Sequence, residues 1–380
     1  MFKGPIKGIV YIFAIIGFIV VGALIYCLLS NQYGLGSMAE AVWLMETESL
    51  KAKPHTTIVQ GAMKGMVDAV GDPYTTYLTK SEFDDLNSKI QGGFPGVGIV
   101  VAADKDNKIT IIAPIKKSPA AYAGLKSGDI IININGDTTR GMTVEEAVER
   151  IRGEVGTQVE ITIFRTSDKK EHVFKVVRKY INVPSVDSRM IKKEPAVAYI
   201  QISQFTEKTP DDFRKQLQNM LDKGAEGLIL DLRGDPGGDF GAAIEIADMI
   251  LTKGDIVKIS DRKGRSEVYT ASSGGLDVPI VVLVNKGSAS SAEILSGALK
   301  DNKVAVLVGE KTYGKGLVQT VFPLRGGDAL KLTTDKYFTP NGTDINRIGI
   351  IPDYVVNNPT GDKPDNQLKK AIDLVVSKLD

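Results

Sequence analysis

At 380 residues the chain exceeds the about 100 to 200 residues of a typical domain, so two or three units with cores of their own are expected. Its 47 Lys and Arg nearly balance 46 Asp and Glu, which excludes a chain-wide field for nucleic acid or acidic surfaces. A single cysteine, Cys27, and two histidines, His55 and His172, exclude a disulfide framework and leave little basis for a zinc site or any other metal. Nothing in the composition calls for a cofactor.

Residues 8–29, "GIVYIFAIIGFIVVGALIYCLL", run without a charge for 22 positions. At 1.5 Å per residue that crosses a bilayer core of about 30 Å, so the run reads as one transmembrane helix. Lys3 and Lys7 precede it and the next charge is Glu40, which keeps the N-terminus cytoplasmic and sends the remainder across. A cleavable signal peptide competes, because "GSMA" before Glu40 offers small residues, but its apolar region should span only about 7 to 15 residues. An uncleaved single-pass anchor over 1–36 is the expectation.

From 37 to 91 the pattern is helical, with "IVQGAMKGMVDAV" followed by the breaker "GDPYTTYL". Trp43, Leu44, Val59, Met63, Met66 and Val67 are too apolar for a solvated tether, and a second copy of the chain is the expected cover, giving a homodimer through these helices.

Between 92 and 180 short strands surround one helix. "GVGIVV", "KITIIAP", "GDIIININGD", "QVEITIFR" and "HVFKVVR" alternate and are rich in β-branched residues. In "TVEEAVERI", Thr143 and Glu146 form a capping box, and Val144, Ala147, Val148 and Ile151 make an apolar stripe. "GVGIVV" followed by "SPAAYAGLKSGDIIININGDTT" resembles a PDZ domain of the bacterial protease type. The resemblance implies that the amides of Gly96, Val97, Gly98 and Ile99 receive a C-terminal carboxylate while the peptide adds a strand to the sheet edge.

From 181 to 380 strands and helices alternate, which indicates βαβ units around a parallel sheet. "AVAYIQI", "EGLILDL", "PIVVLVN" and "KVAVLVG" read as strands, "GAAIEIADMIL" and "SAEILSGALK" as helices. "LVQTVFPL" and "ALKLTTDKYFTP" form a hairpin about "RGGD", and "DNQLKKAIDLVVSKL" is a closing amphipathic helix. Three loops at strand ends, "DLRGDPGG", "NKGSASS" and "GEKTYGKG", stand where such sheets place their sites.

"GEKTYGKG" fits a phosphate-binding loop, but Gly316 replaces the Ser or Thr that holds magnesium, and the next segment is a strand instead of a helix. That frees Lys315 for another role. In a dry site its charged form is disfavoured and it becomes a general base. In a strand, Lys315, Leu317 and Gln319 share a face, so the Gln319 amide can orient the amine. Ser288 looks like a helix cap, whereas Ser290 falls in the first turn, where free amides favour negative charge. The Ser291 amide and one from Gly237 or Gly238 would then bind an oxyanion.

Together these motifs resemble the C-terminal processing peptidases, or tail-specific proteases. The likeness runs from about Trp43 to Val356 through "KGMVDAVGDPYTTYL", the PDZ segment, "DLRGDPGG", "GSASSAEI", "TYGKGLVQ" and "GIIPDYVV". It implies a Ser-Lys dyad, with the nucleophile on Ser290, the general base on Lys315 and the orienting glutamine on Gln319. Two departures stand out: Ser291-Ala292 replaces the usual Ala-Ser, leaving Ser291 as an alternative nucleophile, and Asp235 replaces the usual asparagine beside the oxyanion site.

The expectation is an α/β peptidase core with an inserted PDZ domain, a helical module and an anchor. It would be a serine endopeptidase facing outward from a bacterial membrane and cutting proteins near accessible C-terminal tails. The rivals are a catalytically silent PDZ scaffold, opposed by intact Ser290, Lys315 and Gln319, and a nucleotide-binding protein, which fails on Gly316.

Overall fold

The computed structural model describes residues 5–30, 34–51, 53–272, 274–359 and 364–379; the side chains at 5–10, 12, 24, 27–30, 192 and 193 lie outside the described set. One compact unit combines the chain up to Thr79 with Val321–Leu332. It holds α1 (Pro5–Ser30), α2 (Leu35–Thr47), α3 (His55–Asp68) and β1 (Thr76–Leu78). α1 covers the uncharged run, although part of the expected span at 8–29 has side chains outside the described residues. Among the described residues no helix is long and apolar enough to cross a membrane. In α2 and α3, Trp43, Leu44, Val59 and Met66 are exposed and Val67 is buried, so the apolar face is only partly covered within one chain. β1 pairs antiparallel with residues 329–331, and the Tyr77 hydroxyl donates to the Asp328 carboxylate.

The second unit begins with α4 (Lys80–Ile90) and continues through β2 (Gly93–Gly96), β3 (Ile99–Ala103), β4 (Ile109–Pro114), α5 (Pro119–Ala123), β5 (Asp129–Ile134), β6 (Asp137–Thr138), α6 (Val144–Ile151), β7 (Gln158–Arg165), β8 (Lys170–Val177) and β9 (Lys179–Asn182). The sheet runs β3-β4-β5-β7-β8 and packs Ile109, Ile111, Ile131, Ile161 and Ile163 into one core with Ala147 and Ile151 of α6. Thr143 and Glu146 form the capping box that starts α6. The run read from sequence as one strand, "GVGIVV", is divided. β2 pairs with β9, Gly98 turns at φ 79°, and β3 pairs with β4. A Cβ at Gly98 would meet Ser118 Cβ at 2.4 Å, so both the turn and the close approach need glycine.

The remainder comprises β10 (Val186–Lys193), β11 (Ala196–Ile202), α7 (Thr209–Asp222), β12 (Gly227–Asp231), α8 (Phe240–Ile250), β13 (Gly254–Asp261), β14 (Ser266–Ala271), β15 (Ile280–Val284), α9 (Ser291–Asp301), β16 (Ala305–Gly309), β17 (Leu317–Pro323), β18 (Ala329–Phe338), β19 (Tyr354–Val355) and α10 (Asn366–Val376). Its main sheet has the order β10-β11-β12-β15-β16-β19, parallel except at the β10 edge. Every residue of β12 and β15 is buried, as expected for strands covered on both faces. Leu228, Leu230, Val282 and Val284 pack with residues of α7, α8 and α9, whereas Ile229, Val281 and Leu283 pack with Ala371 and Val375 of α10. α7 and the β13–β14 hairpin are additions to the elements read from sequence.

Candidate active site

β12, β15 and β16 are neighbours and parallel, so the loops that follow them, 232–239, 285–290 and 310–316, leave the same edge of the sheet. Hydrogen bonds join them. The Gly234 N–H donates to Asn285 Oδ1 (2.9 Å), Ala289 N–H to the Asp235 carbonyl (2.9 Å) and Tyr313 N–H to the Ser288 carbonyl (3.0 Å). Below the first loop, the Arg233 guanidinium grips Asp231 and reaches Asp365 Oδ1 at 2.9 Å, tying the loop to the start of α10.

Ser288 does not cap α9. Its hydroxyl donates to the Leu232 carbonyl (2.7 Å) and accepts from Asn285 N–H (3.0 Å), because the loop folds back on β12 before the helix starts. Ser290 is the N-cap residue, at φ 54° and ψ −116°, a conformation that costs a non-glycine residue of order 1 to 3 kcal/mol. Its side chain is half-buried. Ser291 is 1% exposed, and its hydroxyl donates to the Gly238 carbonyl at 3.1 Å. Of the two adjacent serines, only Ser290 is both accessible and set on a strained turn.

The tie between Ser290 and Lys315 is Glu293, which the reading of the sequence passed over although Ser290-x-x-Glu293 has capping-box spacing. Glu293 is fully buried. Its Oε2 accepts from the main-chain N–H of both Ser290 (2.9 Å) and Lys315 (2.9 Å), while Oε1 accepts from Thr312 Oγ1 (2.6 Å) and Gly314 N–H (2.8 Å). One carboxylate thereby fixes the serine turn and the lysine loop against each other. Tyr337, also missed, donates its hydroxyl to the Ser290 carbonyl at 3.2 Å; burial holds that phenol well above its ordinary pKa, and Glu293 pushes the same way.

Lys315 is half-buried and precedes β17. The glycines around it serve the chain that packs behind them. A Cβ at Gly314, which has φ 90°, would meet Gly349 N at 2.8 Å, and one at Gly316 would meet Asn346 N at 2.8 Å. Thr312 N–H donates to Ile350 O (3.1 Å) and Ile350 N–H to Thr312 Oγ1 (2.6 Å), so "GIIPDYVV" braces the lysine loop. A strand follows the loop, with no helix N-terminus to receive a phosphate. The Gln319 side-chain amide donates to Leu317 O at 3.1 Å.

Gly237 lies directly against the serines. A Cβ there would stand 2.8 Å from both Ser290 Cβ and Ser291 N. Its N–H, however, donates to Asp235 Oδ1 at 2.8 Å. Gly238 is pinned from behind by Phe205, whose carbonyl would be 1.9 Å from an added Cβ. Asp235 is wholly buried, its Oδ2 has no hydrogen-bond partner, and burial pushes its pKa up to about 8 against the opposing pull of the Gly237 amide.

Some distance along the chain, β3 is an edge strand facing α6. A cavity of about 340 Å³ lies there, lined by Val97, Gly98, Ile99, Val101, Val148 and Ile151 among others. Gly96 pairs with β9 and stands at the end of β2, so of the four residues assigned to the carboxylate loop it alone is held in another strand.

An α/β core whose strand-end loops gather a strained serine and a lysine, carrying a PDZ-like sheet with an open edge, defines a serine hydrolase of the peptidase class. Residues 196–356 match the model of peptidase family S41 and residues 86–164 that of the PDZ domain. The chain is 39% identical over 313 residues to a carboxy-terminal-processing protease of Bartonella bacilliformis, covering 80% of this chain and 71% of that one. It is 36% identical over 328 residues to the carboxy-terminal processing protease CtpB of Bacillus subtilis, covering 86% and 68%. The structure of a photosystem II D1 C-terminal processing protease superposes with a TM-score of 0.50 at 28% identity, covering 86% of this chain and 88% of the other. The chain belongs to peptidase family S41 and is a serine peptidase.

Proposed function

We propose that this peptidase cleaves proteins near their C-termini by a Ser290–Lys315 dyad, with Gln319 orienting the lysine and the PDZ domain engaging the substrate tail. The observation that carries the reading is the shared Glu293 carboxylate, which draws the backbone of Ser290 and Lys315 to one point. In the reaction Ser290 Oγ attacks the scissile carbonyl as Lys315 Nζ accepts its proton; the amine returns that proton to the leaving nitrogen, and water then hydrolyses the acyl-enzyme. Ser291 N–H, at the first helical position, and the amide of Gly238 or Gly237 stabilise the oxyanion. Gly238 is favoured because the Gly237 amide is already bonded to Asp235. Lys315→Arg is expected to be inactive with the fold intact, since a guanidinium stays protonated and cannot accept the serine proton. Wild-type turnover of an unfolded casein by the arginine variant would overturn the dyad.

The exposed β3 edge and the apolar cavity beside α6 support capture of a tail as an added strand. A peptide ending in a free, apolar carboxylate is expected to be cut several-fold faster than its C-terminally amidated twin; equal rates in the wild type refute tail recognition. The uncharged run at 8–29 supports a single membrane anchor in a bacterial envelope with the peptidase outside, and the exposed Trp43, Leu44 and Met66 support homodimerisation through α2 and α3.

A further inference from the structure

Asp235 is the buried ionisable group that the mechanism above leaves without a task. Its main-chain carbonyl accepts from Ala289 N–H at 2.9 Å and its Oδ1 from Gly237 N–H at 2.8 Å. Gly237 in turn abuts Ser290 Cβ and Ser291 N. A single side chain thus sets the turn that faces the serine. A carboxylate offers about four acceptor positions, and here one is used while Oδ2 is sealed from water with no donor.

The charged residues on its own loop and on the adjoining segments are bonded elsewhere, Lys286 of the serine loop pairing with Glu310. On its own loop, Asp231 and Arg233 are bonded to each other, and Asp239 caps α8 by accepting from Ala242 N–H. On α9, the Glu293 carboxylate is committed to the Ser290 and Lys315 turns. Burial raises the pKa of the Asp235 carboxyl, and the bond from the Gly237 amide opposes that rise. An ionised carboxylate in that position would be an unpaired buried charge beside the place where the reaction itself builds an anion.

We propose that Asp235 is a positioning residue that serves the Ser290 site only while its carboxyl is neutral, so that its ionisation switches the peptidase off. The neutral carboxyl does the work of an amide: its carbonyl oxygen holds the Gly237 N–H and leaves the oxyanion side without charge. The ionised form grips that N–H more strongly through a charge-assisted bond and opposes the negative charge of the tetrahedral intermediate. The proposal rests on Ser290 being the nucleophile. With a carboxyl that titrates near 8, the consequence is an alkaline limb, about tenfold down one pH unit above the midpoint, set on a profile whose acid limb belongs to the base.

The test is the pH dependence of kcat for the full chain on one fluorescent unfolded casein, comparing wild type, Asp235→Asn and Ser290→Ala. Asparagine has the same shape and cannot ionise. It is expected to remove the alkaline limb and to exceed wild type by about tenfold at pH 9, with the change in kcat rather than KM. A falling limb that is the same in both proteins overturns the proposal while leaving the site assignment standing. An active Ser290→Ala overturns the assignment itself.

Thermal unfolding provides a readout independent of activity. The folded-state pKa lies above the unfolded value near 3.8, so the folded chain binds the extra proton between these limits, and stability falls as pH rises from about 4 through about 8. The melting temperature of Asp235→Asn relative to wild type should therefore climb across that window. A difference that stays flat with pH shows that Asp235 carries no titration here and refutes the proposal.

Discussion

Replacing Ser290, the proposed nucleophile, by alanine is expected to lower proteolysis by at least about 10⁴-fold, because only binding and oxyanion stabilisation would remain. Stability should stay within about 0.5 kcal/mol, since alanine meets the same strain at φ 54° as serine does. Ser291→Ala is the control. It deletes a hydroxyl bonded to the Gly238 carbonyl, worth about 1 kcal/mol, and should leave activity within about tenfold. An inactive Ser291→Ala beside an active Ser290→Ala would shift the nucleophile by one residue. The measurement is steady-state turnover with a denaturation curve for each protein.

Glu293→Ala is expected to cost about 4 kcal/mol of stability together with at least about 100-fold in kcat, from a residue that need not touch substrate. Four donors, the amides of Ser290, Gly314 and Lys315 and the hydroxyl of Thr312, converge on its carboxylate inside the core. Each loses an acceptor in the alanine protein, at about 1 to 3 kcal/mol per buried group before relaxation. Glu293→Gln is nearly as damaging for a different reason. All four partners donate, so one end of the amide presents its NH₂ to two of them. A glutamine variant with wild-type kcat and denaturation midpoint would show that the four-donor clasp does not hold the site together.

The central strands were legible in the sequence because they are buried on both faces and read as continuous apolar runs, as "LILDL" and "IVVLV" do. α6 was legible from its cap and stripe. Two kinds of element were not. α7 begins "TPDDF", where a proline and two acids mask the start of a helix whose stripe of Phe213, Leu217 and Met220 packs on the core within an otherwise polar sequence. β10 pairs only along one side, at an edge, with charged residues at 187, 189, 192 and 193, so its alternation is diluted by the exposure that edge strands tolerate. In the proposed site, Ser290 stands out by its place at a helix start, Lys315 by its place between two glycines, and both by the family resemblance, but Glu293 lies in a helical apolar run, where a glutamate ordinarily faces water. Its role depends on the loop of 310–316 folding over it, a long-range contact with no local mark. Asp235 was visible as a departure from a pattern, while its sealed second oxygen was not.

The edge position of β3 also bears on aggregation. An unpaired strand invites any extended chain, including the same strand of another copy, and a long flat edge of Ile and Val would be a hazard at high concentration. Here the edge spans five residues, and its register on β4 shifts between Val100 and Val101. That irregularity breaks the straight run needed for edge-to-edge growth. The same break that shortens the pairing edge works against neighbouring copies knitting together strand to strand.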